Sequence, residues 1–304
     1  MLTLHEIVEQ ESFGNLELLA SQVVEGFITG LHKSPYHGFS VEFVEHRIYN
    51  QGESKKHVDW KLYAKTDKLF VKKFEDETNL RCQILIDTSS SMNFPNKDFN
   101  KLKFSIFSAA AIIRLLKKQR DASGVSLFSN EIDLQTRSKQ SVSHQSMLFA
   151  ELESLLEKKE EKNVASTNTA QILHDLAEQI HQRSLIVLFS DMFSQDNPEE
   201  LFSALQHFRF KKHDVIVFHV TEPEKEKDLE FNNKPHRFVD LETGETVKIN
   251  PSHIRESYTT YMNTFYKELK LRCSQYKIDF VEADINKPFA EVLSAFLIKR
   301  QRLY

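Results

Sequence analysis

The 304-residue chain carries 40 basic and 44 acidic side chains, a formal net charge of −4. A balance so near neutral gives no electrostatic drive toward nucleic acid or a membrane surface. With 40% hydrophobic and 28% charged residues, the composition is that of a globular protein with a sizeable core, long enough for one large or two modest domains.

The first residues are broken by Glu6, Glu9, Glu11 and Glu17, which the apolar region of a signal peptide excludes. An amphipathic helix follows at about residues 14–30, and then an irregular stretch dense in His, Lys, Arg, Tyr and Trp. These features assign residues 1–79 to an N-terminal helical and irregular module. Beyond it the pattern turns regular. Strands are expected at 82–88, 124–128, 184–191, 213–220 and 278–283, alternating with helices at 100–119, 145–160, 169–181, 198–208, 251–276 and 288–302. Asn197 caps the helix that Pro198 opens. The segment 234–249 interrupts the alternation as a hairpin turning at Glu242-Thr-Gly-Glu245.

Strand–helix alternation predicts an α/β fold over residues 80–304, a doubly wound, mostly parallel sheet. The continuous apolar run Leu185–Phe189 fits a strand covered on both faces and is far below the roughly 18 residues of a membrane span. Cys82 and Cys273 are the two cysteines. They lack metal-ligand spacing and point to a reducing, cytoplasmic setting.

Ligands of such sheets bind beyond the carboxyl ends of the strands. There the sequence places Asp87-x-Ser89-x-Ser91 after one strand and Ser190-Asp191 after another, with Ser166-Thr-Asn-Thr169 before a helix. If the three loops adjoin, they offer two carboxylates and several hydroxyls, hard donors suited to Mg²⁺, with Mn²⁺ or Ca²⁺ as alternatives. The competing reading of the same residues is structural, a tight serine turn and helix caps.

Asp87, Ser89, Ser91, Thr167 and Asp191 resemble the metal-ion-dependent adhesion site of von Willebrand factor A domains. Thr169 competes with Thr167 for the threonine position. The resemblance implies a Rossmann-like fold and a cation that binds a partner's Glu or Asp. Upstream, Glu42-Phe43, Arg47, Tyr49, Gly52, Lys56, Asp59-Trp60, Ala64, Val71-Lys72 and Glu77 resemble the domain of unknown function 58 family, with departures at Glu53 and Lys65. Together the two likenesses cover roughly residues 20–200. Family members commonly accompany MoxR-type AAA+ ATPases, which implies such a partner in protein assembly or maturation. Relatives often carry N-terminal membrane helices, and this chain is expected to stand with the soluble ones.

Arg47, Asp59 and Trp60 suit a partly buried charge-and-aromatic lock, or else a partner-binding face. Interspersed Glu45, Glu53, Asp67 and Asp76 oppose nucleic acid. No P-loop, G-x-S-x-G or H-E-x-x-H motif is present, so no catalytic residue is assigned. Two alternatives remain. One is a metal-dependent phosphohydrolase of haloacid-dehalogenase-like layout, although Ser89 stands where that chemistry needs an acid. The other is a scaffold with a vestigial metal site.

Overall fold

Six strands build the central sheet, in the order β10 (Asp279–Asp284), β7 (Asp214–Thr221), β6 (Leu185–Ser190), β3 (Arg81–Asp87), β4 (Ala122–Phe128) and β5 (Ile132–Gln135). In this computed structural model the described residues are 15–32, 46–48, 60–66, 70–72, 80–96, 98, 100–157, 169–193 and 198–303, with the backbone alone described at 29–32, 46–48, 60–62 and 70–72. They fall into two compact units. One joins the described residues up to Ile28 with those from Leu80 onward, and the other comprises the described residues between Thr29 and Asn79.

In the larger unit, α1 spans Leu16–His32. Its residues up to Ile28 belong here, whereas the sequence assigns the whole helix to the N-terminal module. The reason is its apolar stripe. Leu16, the pair Leu19 and Ala20, Val24 and Phe27 follow one another at three- to four-residue spacing and are all buried. Glu17 pairs with Lys117 at 3.0 Å, and Leu16 N–H donates to Glu153 at 2.7 Å.

In the smaller unit, β1 (His46–Ile48) pairs antiparallel with β2 (Phe70–Lys72), and α2 spans Trp60–Thr66. Arg47 lies in β1 and Trp60 opens α2. Asp59 and the side chains of Arg47 and Trp60 lie outside the described residues, as does any lock they form.

Strand β3 (Arg81–Asp87) is central. The chain then runs through α3 (Lys101–Lys118), β4 (Ala122–Phe128), β5 (Ile132–Gln135), α4 (Val142–Glu157) and α5 (Thr169–Gln179). It continues through β6 (Leu185–Ser190), α6 (Pro198–Phe210), β7 (Asp214–Thr221) and a single turn, α7 (Pro223–Glu226). Strands β8 (His236–Val239) and β9 (Thr246–Ile249) form the hairpin expected near 234–249. Helix α8 (Pro251–Gln275), strand β10 (Asp279–Asp284) and α9 (Ala290–Gln301) follow.

All ladders of the sheet are parallel except β4–β5. The mixed α/β fold with a mostly parallel sheet therefore agrees with the expectation. The short antiparallel edge strand β5 was not anticipated. One face of the sheet, through Leu85, Ile186, Leu188, Val215 and Val217, packs against α5, α6 and α8. On α3, Phe104 stacks on Phe289 with ring centroids 5.0 Å apart, and α3 itself packs against β3, β4, β7 and α9.

From β3 the chain passes to β4 on one side, and later reaches β6 on the other. The carboxyl ends of β3 and β6 thus flank the sheet's topological switch point, where crevices form in such folds.

Candidate metal centre

Asp87 ends β3 at that switch point and is 4% exposed. Beyond it the chain turns sharply. Thr88 N–H donates to Phe128 O at 2.8 Å, and Ser89 N–H folds back onto Asp87 Oδ1 at 3.0 Å. Residues Ser90–Asn93 then make a short 3₁₀ helix, anchored by buried Met92. This turn sets Ser89 Oγ 3.1 Å from Ser91 Oγ. The sequence proposed Asp87, Ser89 and Ser91 as neighbours at a strand end, and here they are neighbours.

From β6, Ser190 Oγ donates to Asp87 Oδ2 at 2.6 Å and accepts from Met192 N–H at 2.9 Å. The register carries this bond, because Ile86 pairs with Phe189 and so sets the next residues of both strands side by side. Asp191 is fully buried. Immediately after it Met192 adopts φ +54, a left-handed conformation that is uncommon for a non-glycine residue. That bend lets Asp191 Oδ1 accept from Phe193 N–H at 3.1 Å.

Asp191 is turned to a different partner from the serines. Its Oδ2 lies 2.7 Å from Lys101 Nζ, which also reaches Glu226 Oε1 at 2.5 Å. The second oxygen of Glu226 accepts from Glu222 N–H at 2.7 Å. His219, fully buried on β7, contacts Asp191 O through Nε2 at 2.9 Å. That contact requires the proton on Nε2. Among the described residues, His219 Nδ1 and the neighbouring Tyr266 hydroxyl are buried without a hydrogen-bond partner.

Thr169 opens α5 and is largely buried, while Thr167 and Ser166 lie outside the described residues. Among the described residues no three acidic, histidine or cysteine side chains converge as a ready-made metal cage. The oxygens that come together are the Asp87 carboxylate and the hydroxyls of Ser89, Ser91 and Ser190, while the Asp191 carboxylate is paired with Lys101.

Buried negative charge accumulates at this edge. Burial, then the charge of Asp191, pushes Asp87 up to about 6. Burial also raises Glu226. Lys101 is the buried cation that answers them. Burial alone would lower its pKa, but Asp191 and Glu226 outweigh that and raise it. Glu242, in the β8–β9 turn, is half-buried while Leu241, Thr243, Gly244 and Glu245 beside it are exposed. Burial, then Asp191 and Asp87, push it up to about 7.

Ser190 was legible in the sequence only as the hydroxyl beside Asp191 and Glu242 only as a turn residue, while Lys101, His219 and Glu226 were not singled out. His219 had a visible signal, a histidine within the apolar strand Val215–Val220. Lys101 had none, since a lysine opening a helix ordinarily faces water.

Residues 45–266 match the family described as Protein of unknown function DUF58. The chain belongs to that family. This DUF58 chain is 29% identical over 97 residues to uncharacterised proteins of Mycobacterium tuberculosis and Mycobacterium bovis. That match spans 32% of this chain and 31% of each relative. Among solved structures it is similar to BatB from Bacteroides thetaiotaomicron, at 14% identity and a TM-score of 0.40, covering 74% of this chain and 100% of that one. An aerotolerance-related membrane protein from Bacteroides fragilis gives 14% identity and a TM-score of 0.39, covering 73% and 99%. No helix among the described residues of the DUF58 chain is long and apolar enough to cross a membrane.

Proposed function

We propose that this chain is a non-catalytic, cytoplasmic protein-binding module of von Willebrand factor A-like layout. It holds a divalent cation at the carboxyl edge of its sheet and grips an acidic partner through that ion. One observation carries the reading: Ser89 Oγ and Ser91 Oγ stand 3.1 Å apart beside Asp87. An octahedral shell with bonds of about 2.1 Å has an edge of about 3.0 Å, so the two hydroxyls have the spacing of adjacent ligands of Mg²⁺.

Ser89, Ser91 and Asp87 would hold the ion, with Thr167 of the preceding loop or Thr169 at the start of α5 contributing and Asp191 lending charge from beyond β6. When bound, the ion supplies an electrophilic position for a Glu or Asp of the partner. The Ser190–Asp87 bond keeps the two strand ends together, and the rigid turn at Ser89 presents the hydroxyls. By family resemblance the partner is a MoxR-type AAA+ ATPase, and the process is assembly or maturation of another protein.

Calorimetric titration with MgCl₂ and MnCl₂ tests the cation, and a flat titration would mark a vestigial scaffold. Capture of a co-expressed MoxR-type ATPase with and without chelator tests the partner; capture indifferent to chelator sinks that part. A phosphohydrolase starts its site with the same strand-end aspartate. Here Ser89, two residues on, offers no acid for a leaving group. Turnover of p-nitrophenyl phosphate that Asp87→Asn removes would restore the enzymatic reading.

A further inference from the structure

Lys101 is held in place against two costs. It is 1% exposed, and taking an ammonium out of water is unfavourable unless it is well paired. It is also the first residue of α3, behind the Asn100 cap, where a helix N-terminus favours anions over cations. Its ammonium lies 5.8 Å from the centre of the Phe94 ring and 5.9 Å from that of Phe193. Phe94 follows the turn that carries Ser89 and Ser91, and Phe193 follows Asp191. The ammonium is therefore wrapped by both loops of the candidate metal centre. A methionine would span a similar volume without either cost, so packing alone does not account for the lysine.

We propose that Lys101 is a resident counter-cation of the metal centre, which keeps Asp191 out of the ion's direct shell and biases the loaded site toward an anionic ligand. The inference rests on the cation reading given above. Asp191 Oδ2 is paired with the Lys101 ammonium at 2.7 Å, whereas Asp87, among the described residues, accepts only from the neutral donors Ser89 N–H and Ser190 O–H and keeps its charge uncompensated. The ion then draws its direct charge from Asp87. A fixed positive charge nearby raises the energy of a bound dication and lowers that of an approaching carboxylate. The site thus holds the ion weakly alone and more firmly together with an acidic partner.

The test is MnCl₂ calorimetry on the full chain, comparing wild type with Lys101→Met and with the double variant Lys101→Met/Glu226→Gln. The double variant removes one charge of each sign and so guards against misfolding caused by an unpaired Glu226. Both variants are expected to bind Mn²⁺ at least tenfold more tightly than wild type. Acetate, standing in for a partner's carboxylate, should tighten Mn²⁺ binding to wild type more than to either variant. Binding by the variants alone would also support the role. If wild type binds Mn²⁺ and the folded variants bind it no more tightly, Lys101 is not a counter-cation, although the cation reading stands. If no form binds, both fall.

Discussion

Ser190 Oγ donates a 2.6 Å hydrogen bond to Asp87 Oδ2 and so ties the carboxyl end of β6 to that of β3. The bond is buried, and its loss strands a carboxylate oxygen away from water. Ser190→Ala should lower stability by about 1–3 kcal/mol, the usual cost of an unmet buried polar group. Chemical denaturation measures this directly, and a variant within 0.5 kcal/mol or so of wild type would show that the bond is not a structural tie.

Asp87→Ala removes the carboxylate nearest the two serine hydroxyls. Divalent-cation binding should fall at least a hundredfold while circular dichroism stays that of the wild type. Asp191→Ala should also impair metal-dependent partner capture, and it carries a larger folding penalty because Lys101 loses a buried counter-charge. A ligating carboxylate must be ionised, so cation affinity should weaken as the pH falls below about 6, the value to which burial and Asp191 push Asp87. Affinity that is flat from pH 5 to 8 would exclude Asp87 as a ligand.

His219 predicts an acid sensitivity. Burial lowers its pKa from 6.5 to about 4, so the unfolded chain takes up this proton more readily than the folded one. The resulting stability is fully present above about 6.5 and is lost as the pH falls toward about 4. His219→Gln, which retains an N–H for Asp191 O, should flatten that part of the pH–stability curve. Parallel curves for the two proteins would assign the acid loss elsewhere.

Glu242 predicts the opposite slope. Its pKa is raised to about 7 by burial and by Asp191 and Asp87, so its contribution is present below about 4.5 and is lost as the pH rises through about 7. Glu242→Gln should be more stable than wild type at pH 8, by on the order of 1 kcal/mol after solvent screening. The difference should vanish near pH 4. Added Mg²⁺ should narrow the gap at pH 8 if an ion offsets the same carboxylates.

The alternation of apolar strands with helices, and a hairpin between β7 and α8, could be read from the chain, because each element carries its own period and punctuation. So could the local group Asp87, Ser89 and Ser91, since residues two apart after a strand end stay close whatever the rest of the fold does. Strand β5 escaped, its four residues Ile132–Gln135 being too short to show a period. The order of the sheet, which sets Ser190 beside Asp87, was open until the strands paired, because a register is a property of two strands and not of one. Lys101 is the sharpest case. Its neighbours in sequence describe an ordinary helix start, and only packing against Asp191 and Glu226, residues 90 and 125 positions away, makes it a buried cation. Electrostatic partners act through space, and sequence distance carries no record of them.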